Sequence, residues 1–148
     1  ILSLLCSCLP LFLTAQKKDT INTNQGIPFG IIQKAPIYPG CETLSEGSHP
    51  QCLRQGISRF ISENFNRSIL DSLKLEPGKM RIYMQFLFGK DGHIYQIQAK
   101  SSHKKLEEEA VRVVSLLPKI SPGVHHGRKV NVKYTMPFTF LEEHKSRK

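Results

Sequence analysis

The most restrictive feature of this chain is an unbroken alternation near its C-terminal end. Val130, Val132, Tyr134, Met136, Phe138 and Phe140 are apolar, and Lys129, Asn131, Lys133, Thr135, Pro137 and Thr139 fill the positions between them. Successive side chains of a strand point to opposite faces, so a period of two predicts a strand with one buried and one wet face. Pro137 adds a second constraint. It has no N–H to give to a ladder, which places the strand at a sheet edge. Within a strand, each residue's N–H and C=O point to one side, and those of its neighbours point to the other. The side of Pro137 is therefore the outer one. Asn131, Lys133 and Thr135 share its parity and are expected to direct their backbone groups outward, while Val130, Val132, Tyr134 and Met136 bond inward. An open edge is a liability unless it is blunted or used. Pro137 serves for blunting; pairing with a partner's extended segment is the use. The residues alone leave both open.

The 148 residues amount to one domain. Hydrophobic residues make up 39%, enough for a packed core. Leu53, Ile57, Phe60, Ile61 and Phe65 recur at spacings of three and four and predict a first helix, with Ser48 or His49 as its cap and Pro50 in its first turn. Residues 69–75 suggest one or two further helical turns, ended by Glu76-Pro77-Gly78. Residues 80–88 form a strand with Met80, Ile82, Met84, Phe86 and Phe88 on one face. Its other face is half apolar, as in a central strand. Gly89-Lys90-Asp91-Gly92 is a tight turn. The returning strand, 93–100, carries Ile94 and Ile97 at an odd spacing, which predicts a bulge. A helix follows on the stripe Leu106, Ala110, Val113, Val114 and Leu117, with Glu107, Glu108 and Glu109 as a solvated first turn facing the positive end of the helix dipole. Pro118 stops it. His125-His126-Gly127 lies in the loop before the last strand.

The N-terminal residues are of a different character. Residues 1–15 carry no charge, are dominated by Leu2, Leu4, Leu5, Leu9, Leu11, Phe12 and Leu13, and end in Thr14-Ala15 before Gln16-Lys17-Lys18. This matches the apolar core and cleavage end of a secretory signal, with its start upstream of Ile1 and cleavage after Ala15. The run is short of the roughly 20 apolar residues that span a bilayer. A lipidated Cys6 or Cys8 is a weaker alternative, and an uncleaved N-terminal anchor is another. The expected division is a signal at 1–15, an extended leader at 16–47 whose part up to Lys34 is mobile, a domain at 48–141 and a basic tail at 142–148. Export leaves Cys41 and Cys52, a plausible disulfide in an oxidising compartment. The rival is a redox or metal pair, but the spacing is not C-x-x-C and no ligand set accompanies it.

The formal net charge is +9. It is spread in short clusters such as Lys104-Lys105 and Arg128-Lys129, without a nucleic-acid motif. Solvated faces explain it better than nucleic-acid binding; a secreted protein that binds an anionic polymer is the alternative it keeps open. No catalytic set is present: no Ser-His-Asp spacing, no H-E-x-x-H, no phosphate-cradling Gly loop. The three consecutive glutamates would point around about 200° of a helix, and His125-His126 lacks further ligands. No enzyme activity, cofactor or metal is expected.

Several segments together resemble the C-terminal domain of TonB energy transducers. They are Arg81-Ile82-Tyr83-Met84-Gln85-Phe86, Lys90-Asp91-Gly92-His93-Ile94, residues 106–114, Leu117-Pro118-Lys119, Gly127-Arg128-Lys129-Val130 and Tyr134-Thr135-Met136-Pro137-Phe138-Thr139-Phe140. Upstream, Tyr38-Pro39-Gly40-Cys41-Glu42 with Cys52 resembles a subset carrying a Pro-Gly-Cys leader. The resemblance implies an α+β fold, a three-stranded antiparallel sheet with two helices packed on one face. It also implies a periplasmic protein-binding module whose last strand docks the TonB box, a short extended segment of an outer-membrane TonB-dependent transporter, in energy-coupled transport. The partner-binding residues are then Lys129, Val130, Asn131, Val132, Lys133, Tyr134, Thr135 and Met136. A homodimer through the same edge is the other partner such a surface allows.

Overall fold

The computed structural model describes residues 25–73 and 78–142. The expected export signal, with Cys6 and Cys8, lies outside the described residues, as does the tail beyond Glu142. In chain order the strands are β1 (Ile27–Pro28), β2 (Gly78–Phe88), β3 (Ile94–Lys100), β4 (Val124–His125), β5 (Arg128–Lys129) and β6 (Val132–Glu142). The helices are α1 (His49–Asn64), α2 (Ser68–Leu73) and α3 (Lys104–Ser115), with 3-10 turns at Phe29–Ile31 and Glu46–Ser48.

The main sheet has the order β1-β6-β2-β3. β2 and β6 pair antiparallel in one unbroken register from Gly78↔Glu142 to Phe88↔Val132. β3 runs antiparallel to β2 on its far side. The fold is α+β as expected, with two corrections. The sheet is mixed and four-stranded, because the short β1 adds in parallel to the start of β6. A third helix, the six-residue α2, follows α1.

The alternating residues build the core as their spacing requires. Ile82, Met84, Phe86 and Phe88 of β2 and Val132, Tyr134, Met136, Phe138 and Phe140 of β6 are buried together. They form one cluster with Leu53, Ile57 and Ile61 of α1 and Leu106, Ala110, Val113 and Val114 of α3. The other face of β6 stays exposed at Lys133, Thr135, Pro137 and Thr139. The odd spacing of Ile94 and Ile97 has the expected cause: the β2–β3 register shifts between Gln85 and Leu87, and Gln96 takes a left-handed φ of 51°.

α1 starts with Pro50 in its first turn, though Ser48 makes no side-chain capping bond. It stops where Phe65 turns extended, and Asn66 then restarts the chain. The Asn66 Oδ1 accepts from the Ser68 N–H and hydroxyl at 3.1 and 2.7 Å, opening α2. The glutamate run needs correction at Glu109, which is buried rather than solvated. Its carboxylate accepts the Asn66 N–H at 2.8 Å and pairs with Arg112, whose guanidinium also donates to the Asn64 carbonyl at 2.9 Å. The pair thus ties α3 to the α1–α2 bend. The Arg112 bond is the main reason its carboxyl lies below the ordinary range.

The expected mobile leader is, in its described part, a strap laid across the domain. Lys34 and Val124 exchange two backbone hydrogen bonds of 3.0 Å, as do Ile37 and Ser121. The Tyr38 ring lies on Gly56, where a Cβ would sit 2.5 Å from a ring carbon, so only glycine fits. One helical turn earlier, Cys52 is bonded to Cys41. Disulfide and ring therefore dock on the same face of α1.

Candidate functional site: the outer edge of the last strand

β6 has two sides of different character. Its inner side pairs with β2 along the whole length. Pro137 stands opposite Tyr83, and without an N–H it requires that pair to be a non-bonded one. The even-numbered residues of β6 then carry the bonds to β2. The outer side is seen directly where the strap meets it. The Ile27 N–H donates to the Asn131 carbonyl at 2.8 Å, and Ile27 and Pro28 stand beside Val132 and Lys133. Odd-numbered backbone groups face outward, as the position of Pro137 requires. Beyond Lys133 no described strand pairs with this side.

The structure divides the eight expected partner-binding residues. Lys129 does not belong to the last strand; it lies in β5 and pairs with Val124 across a hairpin whose turn residues, His126 and Gly127, both have positive φ. Val130 and Asn131 bend between the two strands. The Val130 N–H donates to the Gly123 carbonyl at 3.0 Å, and the Asn131 Oδ1 accepts from the Lys90 N–H at 2.9 Å. The alternation continues through this bend because side-chain burial persists while the backbone partners change. Val132, Tyr134 and Met136 are in β6 but buried, so they offer a partner little beyond support. Lys133 and Thr135 are exposed on the strand and share outward parity.

Tyr134 joins the edge to the core. Its ring meets Phe88 at 5.3 Å, Phe86 at 5.6 Å and, from the strap, Phe29 at 4.9 Å. Burial raises the pKa of its hydroxyl, so it stays neutral. Sequence reasoning missed Phe29 and Ile27, since nothing in Gly26-Ile27-Pro28-Phe29 repeats with a structural period. Pro28 was the available signal, as a residue suited to a sheet margin.

Elsewhere the chemistry is sparse. Asp91 is held down to about 2 by hydrogen bonds from the Tyr95 hydroxyl and the His93 N–H, which makes it a fixed charge at the β2–β3 turn. His125 and His126 touch edge to face. Among the described residues no group of three or more His, Cys, Asp or Glu side chains converges as a metal site. No described helix is long and apolar enough to cross a membrane.

The described residues thus form a small α+β domain that presents the outer side of a long strand at its sheet margin. Residues 81–141, which hold most of β2 and β6 together with β3, α3, β4 and β5, match the family of the Gram-negative bacterial TonB protein C-terminal. No curated protein matches it. The family is one of transport energy transducers rather than enzymes. Its members act with outer-membrane transporters in TonB-type energy-coupled transport, in the periplasm or at its membranes. The strap, α1 and α2 lie outside the matched segment.

Proposed function

We propose that this domain is a periplasmic module that captures an extended segment of an outer-membrane transporter, the TonB box, by strand addition along the outer edge of β6. The observation that carries this reading is the outer side of β6 beyond Lys133, with which no described strand pairs. Main-chain groups there offer hydrogen bonds to any extended chain, and the exposed side chains of Lys133 and Thr135 supply selectivity. The rigid β2–β6 ladder and the packed helices beneath it suit a surface that must bear tension. Export by residues 1–15 would deliver the domain to the compartment where such segments end.

The test is binding of synthetic peptides from the N-terminal ends of outer-membrane transporters of the same bacterium, measured calorimetrically. Thr135→Pro removes one outward donor and leaves the inner ladder whole. The expected result is binding by the wild type and a loss of about tenfold in the variant, one charge-free hydrogen bond's worth. Peptides that bind neither protein, or both equally, would defeat the proposal. Sedimentation of the free protein separates a second use of the same edge: a symmetric dimer would compete with the peptide.

A further inference from the structure

The strap already sits where a partner strand would start. We propose that Ile27 and Pro28 are a built-in competitor for the docking edge, a tethered stand-in that must leave before a partner pairs with Asn131 and Lys133. The inference rests on the docking reading above.

Four observations carry it. The first is that β1 uses the same outward backbone groups: the Ile27 N–H donates to the Asn131 carbonyl, and the strap runs alongside Lys133. Next, the open part of the edge is the poorer part. Pro137 interrupts its donors, so Thr135 and Thr139 stand apart, while the longest run of outward groups is Asn131, Lys133 and Thr135. Two of those three residues are held by the strap. Third, a partner cannot simply add onto β1. If the Ile27 N–H faces β6, the Pro28 nitrogen faces away, and it has no hydrogen to offer. Displacement is the route left.

The fourth observation is how unevenly the strap is held. From Lys34 onward it is fixed by two pairs of backbone bonds, by Tyr38 on Gly56 and by the Cys41–Cys52 bond. Before Lys34 the strap is held by the two-residue β1–β6 pairing at Ile27 and Pro28, by the edge contact of Phe29 on Tyr134 and by the Gln33 Oε1, which accepts the His126 N–H at 2.7 Å; none of these is covalent. Ile31, between the two parts, is 56% exposed. β1 can therefore lift while its anchor stays. The seven steps from Ile27 to Lys34 let the freed end move by up to about 23 Å and return. Such a tether keeps its local concentration high, so a weak strand still competes well. It screens out segments that bind poorly and yields to those that bind well.

Gly26 is the handle for a test. Its φ is +78°, and a Cβ would fall 2.7 Å from Leu87 Cδ2 and 3.1 Å from the Lys133 nitrogen, so Gly26→Val should lift β1 without touching the helices. The probe is the transporter-derived peptide of about twelve residues, long enough to cover the edge at about 3.3 Å per residue. Affinity is measured on the full chain, wild type against Gly26→Val, and amide exchange is followed on the wild type with and without peptide. The expected result is about tenfold tighter binding by the variant, because less of the protein is held closed. In the wild type, peptide should slow exchange at Thr135 and speed it at Ile27. Because Gly26→Val could disturb Leu87, Ile27→Pro, which deletes the bond to Asn131, serves as a second release variant and should tighten binding in the same direction. Slowed Thr135 with unchanged Ile27, or equal affinities in all three proteins, would overturn the competitor and leave the docking edge standing. Peptide binding with no change at Thr135 would overturn both.

Discussion

The two sides of the last strand share one sequence and meet opposite fates. On the inner side every residue from Val132 to Glu142 has a partner in β2. On the outer side two residues pair with the strap, and no described strand follows. The difference comes from parity and from one proline. Pro137 withdraws a donor from the outer row only, because its missing N–H would have pointed outward. The inner side is thus the structural half of the strand and the outer side the available half. The two sides can therefore be altered separately.

The largest effect should come from breaking the inner side. Val132→Pro removes a bond to β2 and a fully buried side chain, and should cost about 3 kcal/mol or more. Thermal unfolding checks it; an unchanged midpoint would mean that β6 is not held where its register says. Next comes the anchor of the strap. Cys52→Ser should cost about 2–3 kcal/mol, the chain-entropy value for so short a loop. Amide exchange should then quicken at Lys34 and Ile37 while the β2–β6 ladder keeps its rates. Equal quickening in both would show that the strap and the ladder are one cooperative unit.

A smaller effect is expected far from both sides. Glu109→Gln weakens the tie between α3 and the α1–α2 bend, by about 1 kcal/mol at neutral pH. The carboxyl of Glu109 is depressed in the folded state, first by Arg112 and then by the Asn66 N–H. Its contribution is therefore complete above the ordinary value of 4.5 and is lost as pH falls through the lowered one. The stability gap between wild type and variant should close with acidification below about 4.5, and chemical denaturation at a series of pH values measures it. Partner affinity should not change. Smallest in stability is Lys133→Pro, which deletes an outward donor; a loss of about 0.5 kcal/mol is expected. An unfolded Lys133→Pro beside a tolerated Val132→Pro would invert the assignment of the two sides.

Most of the fold was legible because its signals are local and periodic. The α1 stripe, the β2 alternation, the bulge at Gln96 and the α3 stripe each follow from neighbouring residues. The outer parity of Lys133 and Thr135 followed from Pro137 alone. What was not legible depends on distant contacts. Ile27 pairs with a strand about a hundred residues away, and a two-residue strand has no period to detect. Lys129 and Val130 were counted in the last strand because their side chains keep the alternation, whereas their backbones turn to Val124 and Gly123. Glu109 looked like its two neighbours until Asn66 and Arg112 were brought beside it.

Residue-by-residue amide exchange along β6 in the free protein tests the central claim most directly. Tyr134, Met136, Phe138 and Phe140 bond inward and should exchange slowly. Thr135 and Thr139 face outward and should exchange orders of magnitude faster, with Lys133 between the two groups because the strap covers it. Added transporter peptide should then slow Thr135 and Thr139 selectively. If these two amides are as protected as Tyr134 and Met136 before any peptide is present, the outer edge is not free, and the account of this domain as a strand-docking module fails.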